Sequence, residues 1–229
     1  MPPLSTTLAG LTRVVDARRK SLDRRRALLV GISGIDGAGK GWVTERLASA
    51  LQGVGHRVAV LHVDGWLNLP SIRFHTDRPA EHFYHHALRL DAFVDRLLLP
   101  LGAERAVDVV TDYAEERATT FRPQQYSFQD IDVVLAEGIY LFKRSYRPLF
   151  NLAVWVACSP ETALERAIAR AQEGLPPKAT VEAYRRIYFP AQQIHAERDA
   201  PEHHADCVLS NDPRLTNTDA FPDPFPLAP

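Results

Sequence analysis

The run Gly34-Ile35-Asp36-Gly37-Ala38-Gly39-Lys40 has the spacing GxxxxGK. Glycines at these intervals let backbone N–H groups turn inward around phosphate oxygens, and a helix opening there adds the positive end of its dipole. Lys40 is placed to reach the outer phosphates of a nucleotide. In a chain with 12 Gly the pattern arises by chance about 0.01 times, so it is specific. The expected nucleotide contacts are Gly34, Asp36, Gly37, Ala38, Gly39, Lys40, Gly41 and Trp42. One position departs from the pattern. A Ser or Thr normally follows the lysine and ligates Mg²⁺, but here Gly41 does, and Trp42 comes next. Mg²⁺ readily keeps a water where a protein ligand is missing.

Two carboxylates complete the chemistry. Asp64 follows the apolar run Arg57–Val63, and Glu137 follows Asp132–Ala136. In open α/β sheets ligands bind beyond the carboxyl ends of the strands, where both acids fall. One can accept a hydroxyl proton and one can organise Mg²⁺, so both are candidate metal ligands and catalytic groups. Arg166 and Arg170, four residues apart, share a helix face beside the break Gly174–Pro177. They are candidates to close over a transferring phosphate.

These groups need a scaffold that presents strand ends together. Ala27–Ser33 (ALLVGIS) is a continuous apolar run, suited to a strand buried on both faces. Arg57–Val63, Asp132–Ala136, Leu152–Ala157 and Asp206–Ser210 read the same way, with Val107–Thr111 as a further short candidate. Helical patterns lie between them, near Trp42–Gln52, from Ala80 to Leu101 with a break at Pro100, after Ser159-Pro160-Glu161, and over Thr180–Glu197 with a kink at Pro190. Alternating strands and helices predict an α/β three-layer sandwich: a mostly parallel five-stranded sheet, helices on both faces, and a small lid.

Together these segments resemble the uridine kinase/phosphoribulokinase family of P-loop kinases. The resemblance spans about Leu28 to Leu209. It is carried by GISGIDGAGK, HVDGW (His62–Trp66), AEGIYLF (Ala136–Phe142), LERAIAR (Leu164–Arg170), YFP (Tyr188–Pro190) and HHAD (His203–Asp206), in that order. It implies the P-loop NTPase fold and a kinase-like domain at 27–210 with its lid near 171–179; outside it, helix-spaced apolar residues predict an N-terminal helix at 1–26 and five prolines a proline-rich tail at 211–229. The resemblance also implies ATP and Mg²⁺ as cofactors and phosphotransfer to a hydroxyl of a small acceptor. Asp64 resembles the general base, Glu137 the Mg²⁺-organising carboxylate, and Arg166 and Arg170 the lid arginines. Asp91, in YHHALRLD (Tyr84–Asp91), resembles a ribose-binding acid, and Thr111-Asp112-Tyr113 an acceptor-binding motif. Tyr113 is placed to stack on an acceptor ring and Arg117 to pair an acidic one. Glu116 stands where uridine kinases carry a base-reading histidine. The acceptor class therefore stays open among nucleosides, vitamins, sugars and sugar phosphates. The alternative reading, favoured by Gly41 and Trp42, is a nucleotide-binding regulatory protein with weak or lost kinase activity.

Composition limits the remaining classes. The 27 Lys+Arg and 28 Asp+Glu give a net charge of −1, so no basic excess draws the chain to nucleic acid or an anionic membrane. The arginines clustered near the N-terminus lack interleaved aromatics for base stacking. Met1–Leu11 has no basic stretch followed by an apolar one, and no apolar run reaches the roughly 20 residues that span a bilayer. The expectation is a cytoplasmic protein without membrane or nucleic-acid partners. Cys158 and Cys207 sit in apolar runs and are expected to be unpaired thiols, and the histidines show no metal-ligand spacing.

Overall fold

The computed structural model describes residues 3–171 and 174–215. Its apolar runs assemble as strands flanked by amphipathic helices. In chain order these are β1 (Leu4–Ser5), α1 (Leu8–Ser21), β2 (Leu28–Gly34), α2 (Lys40–Gly53), β3 (Val58–His62), α3 (Pro70–Arg73), α4 (Pro79–His86), α5 (Leu90–Phe93), α6 (Leu99–Glu104), β4 (Val107–Tyr113), β5 (Arg122–Phe128), β6 (Val133–Glu137), β7 (Leu152–Ala157), α7 (Pro160–Arg170), α8 (Pro177–Ala183), α9 (Phe189–Asp199) and β8 (Cys207–Ser210).

The main sheet runs β1-β8-β7-β2-β6-β3, and every pairing in it is parallel. It has the five strands expected from sequence plus β1, a two-residue strand on the outer edge of β8. Residues alternate faces along each strand. On β2, Leu28, Val30 and Ile32 join Leu11 and Val15 of α1 and Val43, Leu47 and Leu51 of α2 in one core. Leu29 joins the other core, with Leu97, Leu101, Phe142, Phe150, Trp155 and Tyr184. With both faces covered, no polar face is left, and for this reason the strands read as unbroken apolar runs. Both cysteines are free thiols.

One proline-containing helix departs from expectation. Pro100 does not break its helix: α5 and α6 are joined through a π turn at Val94–Leu98, in which the Leu99 N–H bonds the Val94 carbonyl. The wider turn moves the hydrogen-bond register so that the N–H missing at Pro100 is absorbed. The break comes earlier, between α4 and α5. The same device occurs ahead of Pro190, where a π turn at Tyr184–Tyr188 joins α8 to α9 and the Phe189 N–H bonds the Tyr184 carbonyl. The hairpin β4–β5 stands apart from the main sheet as an antiparallel pair. β5 has no apolar alternation strong enough to be read from sequence, and Pro123 sits near its start.

A buried acid ties the helical side of the site together. Asp199 on α9 accepts the Tyr84 hydroxyl of α4 at 2.6 Å, lies 2.7 Å from His195 Nδ1, and accepts the Arg144 N–H at 3.0 Å. Burial pushes this carboxyl up, but the Tyr84, His195 and Arg144 hydrogen bonds outweigh that and hold it below the usual carboxylate range. Asp199→Ala strands these donors in a dry environment and is expected to cost ~3 kcal/mol. Urea unfolding at neutral pH reads that loss, and a change under about 0.5 kcal/mol would refute the brace.

Candidate functional site

β2 ends at Gly34, and the chain turns through Ile35–Gly39 before α2 opens at Lys40. The turn needs glycine at two points: Gly37 has φ +77° and Gly39, the residue before α2, has φ +83°. At Gly37 a Cβ would also lie 2.5 Å from the Ala163 carbonyl oxygen of α7, so the loop sits hard against that helix. Lys40 is nearly buried, and its Nζ donates to the Ile35 carbonyl at 3.0 Å, folding the side chain back across the loop.

Asp64 lies in a 3₁₀ turn directly after β3, and Glu137 is the last residue of β6, the neighbouring strand. In register, His62 pairs with Glu137 across the two strands, and His62 Nδ1 lies 2.7 Å from Glu137 Oε1. The Glu137 hydrogen bond, reinforced by its charge, raises the His62 pKa against burial. Asp64 is open to the cavity but walled by protein. That desolvation, followed by repulsion from Glu137, pushes its carboxyl up to about 6, with Lys40 acting in the opposite sense.

These groups share one cavity of ≈ 240 Å³. The loop side is Asp36, Gly37, Gly39, Lys40, Gly41 and Trp42, faced by Asp64, Glu137 and Arg170. Arg170 Nη2 lies 3.5 Å from Asp36 Oδ1, and the Tyr184 hydroxyl donates to Asp36 Oδ2. Burial works to raise Asp36, but Arg170, Lys40 and that hydroxyl prevail and keep it ionised. Trp42 carries the Arg46 guanidinium 4.4 Å above its ring.

Several residues picked from sequence stand elsewhere. Arg166 does not face the cavity beside Arg170. Its Nη1 donates to the Gly37 and Ala38 carbonyls at 3.3 Å each, and its Nη2 to the Asn211 carbonyl at 2.9 Å, so it braces the loop from behind. The cause is helix geometry: a four-residue step on α7 advances a full turn, from the flank of the loop to its open side. Asp91 also lies outside the cavity walls and accepts the Tyr146 hydroxyl at 2.7 Å. Tyr113 packs over Gly65 with the Arg122 guanidinium 4.2 Å from its ring, and exposed Arg117 rests beside Gly174. Neither lines the cavity. Part of the expected lid, residues 172–173, lies outside the described residues, as does 216–229 of the expected tail.

Other residues complete the walls: Leu67, Phe83, Glu116, Ile139, Tyr188 and Gln192. They come from segments far apart in sequence; Ile139 and Tyr188 sit inside the motifs quoted above, and Leu67 and Phe83 directly flank two others. The segment after β8 is also part of the site's support. Asn211 Nδ2 donates to the Ala38 carbonyl at 2.7 Å, and Asp212 accepts from the Ser159 N–H at 2.6 Å and the Thr162 hydroxyl at 2.7 Å. Although burial opposes it, the hydrogen bonds from Ser159, Arg214 and Thr162 hold Asp212 down at about 2. This brace is intact above the ordinary Asp range and is lost as pH falls through about 2.

The donor set fits Mg²⁺. Asp64 and Glu137 repel each other, a repulsion that a divalent cation would relieve, and Mg²⁺ typically takes one or two carboxylates plus phosphates and waters. Among the described residues no three His, Cys, Asp or Glu side chains are grouped to hold a metal unaided. At Gly41 an added Cβ meets nothing within 4 Å, so the missing hydroxyl has room. Gly41→Ser is therefore expected to lower the Mg²⁺ concentration for half-maximal nucleotide binding by about 5–10-fold, the effect of one added oxygen ligand. Magnesium titrations followed by Trp42 fluorescence would show it, and an unchanged midpoint would count against a cation beside Gly41.

Comparison with known proteins agrees with this geometry at the level of fold. A family model described as methylmalonyl Co-A mutase-associated GTPase MeaB matches residues 17–71, which include the loop. No curated protein matches the chain by sequence. Among solved structures, a "possible uridine kinase" from Bacillus stearothermophilus is 20% identical with a TM-score of 0.65, over 87% of this chain and 98% of that one. A "putative fructose transport system kinase" from Silicibacter sp. TM1040 is 22% identical with a TM-score of 0.69, over 89% and 99%. D-glycerate 3-kinase from Cryptococcus neoformans is 14% identical with a TM-score of 0.63, over 93% and 97%. The chain has the α/β fold of P-loop NTPases, in the arrangement that P-loop kinases share. Among the described residues no helix is long and apolar enough to cross a membrane.

Proposed function

We propose that this protein is an ATP- and Mg²⁺-dependent phosphotransferase acting on a hydroxyl of a small molecule in the cytoplasm. The observation that carries the reading is convergence: the phosphate loop, Lys40, Asp64, Glu137 and Arg170 line one cavity that also has walls for a second compound. Loop N–H groups and Lys40 hold the outer phosphates. Glu137, with Asp64, would hold Mg²⁺, which when bound offsets phosphate charge. Asp64 accepts the acceptor's hydroxyl proton as the new O–P bond forms and the bond to the departing ADP oxygen breaks. Arg170 neutralises charge on the transferring group.

A second reading has specific support. Gly41 removes a Mg²⁺ ligand, and the model matched over 17–71 is that of a GTPase, so a guanine-nucleotide-binding regulator is the alternative. The two separate in one experiment: nucleotide turnover with ATP and with GTP, with and without Mg²⁺, against a panel of hydroxylated acceptors. Phosphotransfer requires Mg²⁺-dependent ADP release that rises with one acceptor. Tight GTP binding with slow hydrolysis, indifferent to every acceptor, would establish the regulator instead.

A further inference from the structure

The walls outside the phosphate loop narrow the chemistry of the acceptor, an inference that rests on the phosphotransfer reading. Four acids line the cavity: Asp36, Asp64, Glu116 and Glu137. Among the described residues its cationic walls are Lys40 and Arg170. Both cations are engaged on the loop side, Lys40 with the Ile35 carbonyl and Arg170 with Asp36. The remaining walls, among the described residues, carry no cation and hold Glu116. Its carboxylate is fixed from behind by Arg73, Nη2 to Oε1 at 3.1 Å, and Arg73 itself is 1% exposed and not a cavity wall. A phosphate or carboxylate on the acceptor would meet Glu116 and Asp64, with Arg73 offsetting Glu116 only from behind the wall and both cavity cations held on the loop side.

Gln192 supplies the second observation. It lines the cavity, is nine-tenths buried, and among the described residues its Oε1 has no hydrogen-bond partner. A buried amide oxygen left unpaired is costly; this one is closed to solvent as it stands, and turned toward the cavity it would be satisfied by a bound hydroxyl. A half-turn about the terminal torsion exchanges oxygen for NH₂, so this side chain can pair either role of a hydroxyl. Beside it, Leu67, Phe83, Ile139 and Tyr188 are largely apolar, with the Phe83 and Tyr188 rings 5.0 Å apart and inclined at 64°. Such walls suit the C–H face of a saturated ring. The cavity, at ≈ 240 Å³, lies below the roughly 300–1,000 Å³ typical of larger ligands, and it must also admit the end of the nucleotide.

We propose that the acceptor is an uncharged, polyhydroxylated single-ring compound of monosaccharide size, held by Gln192 and Glu116. Sugar phosphates and sugar acids are disfavoured by the acidic walls, and nucleosides by a cavity of ≈ 240 Å³ that must also admit the end of the nucleotide.

The test uses the full-length protein with ATP and Mg²⁺. Free monosaccharides and cyclic polyols are compared with their phosphate esters, their acids and nucleosides, by ADP release and by ligand-observed NMR binding. At least one neutral sugar is expected to exceed its own phosphate ester about 10²-fold in kcat/KM. Gln192→Leu is expected to raise the KM of that sugar about 10-fold with nucleotide affinity unchanged. Glu116→Gln leaves Arg73 uncompensated near the wall, so it should narrow the neutral-to-phosphorylated ratio, a change that a merely structural role would not produce. If that variant fails to fold, Gln192→Leu still decides. Preference for a sugar phosphate, a sugar acid or a nucleoside overturns the inference and leaves phosphotransfer standing. Binding of a neutral sugar without ATP turnover keeps this site and defeats phosphotransfer. Neither binding nor turnover with any neutral sugar overturns the inference.

Discussion

Asp64→Asn is expected to reduce kcat by about 10²–10⁴-fold while nucleotide binding persists and thermal stability at pH 7 increases. The two halves of this result share one cause. Asp64 sits in the turn after β3, walled by protein and facing Glu137, and its carboxyl is pushed up to about 6. In the cation-free site, a carboxylate held in this range is a better proton acceptor than an ordinary surface aspartate. The same shift carries a stability cost. Because the folded pKa exceeds the unfolded value of 3.8, the folded state binds more protons between about pH 4 and 6, so stability falls as pH rises through that window. A two-unit shift would be worth ~3 kcal/mol at most. Asp64 is open to cavity water, and screening reduces this to about 1 kcal/mol, or a Tm gain of about 2–4 °C on removing the charge. The measurement is a melting curve at pH 7 and pH 4 without Mg²⁺, alongside single-turnover phosphotransfer. A variant that loses Tm at pH 7, or retains full turnover, would disprove the assignment. In the wild type without Mg²⁺, NMR titration of the Asp64 carboxyl should show its midpoint near 6. A bound divalent cation should draw that midpoint down by favouring the ionised form.

The second large effect is at Lys40. Lys40→Ala is expected to lower kcat/KM for ATP by about 10²–10³-fold, the usual loss when one charged donor aimed at a developing charge is removed. Lys40 opens α2, is nearly buried, and rests against the loop through the Ile35 carbonyl. Removing it leaves the loop backbone and helix N-terminus in place, because Gly37 and Ala38 are held independently by Arg166 and Asn211. Nucleotide affinity should therefore fall less than turnover. Stopped-flow binding of an ATP analogue beside steady-state turnover separates the two. Equal losses in both would show that Lys40 holds the ground state alone, and an active variant would sink the proposed phosphate site. The brace makes its own contrast: Arg166→Ala should weaken nucleotide binding and loosen the loop, since it touches backbone carbonyls and not the cavity.

The two arginines of α7 show where reading the chain stops. Arg166 and Arg170 look equivalent at one helix face, yet one meets the backbone of the loop and the other meets Asp36 across the cavity. Which role each takes depends on how α7 docks on the loop, where the Ala163 carbonyl fits against Gly37. Sequence spacing carries no information on that docking. Asp91 and Glu116 invert in the same way. Asp91, chosen by resemblance, turns to Tyr146, and Glu116, which departs from the resemblance, becomes a cavity wall. The prolines teach a related lesson. The break expected at Pro100 does not occur, because a π turn ahead of it shifts the hydrogen-bond register, and the same turn precedes Pro190.

Sequence alone determined what depends on neighbours along the chain. The loop is legible because its glycines, its lysine and the start of α2 are contiguous, and its conformation is set by local φ angles. The doubly covered parallel sheet is legible because strands buried on both faces must be apolar throughout, and Asp64 and Glu137 are legible because a strand's end marks the ligand side of such a sheet. The walls of the second half of the cavity were not. Leu67, Phe83, Glu116, Ile139, Tyr188 and Gln192 come from distant segments, and each alone looks like an ordinary core or surface residue. Only the packing of α4, α9 and the loops around β4 and β6 brings them face to face. Recognition of an acceptor depends on that convergence, whereas phosphate binding needs little more than one turn of backbone and the end of one helix.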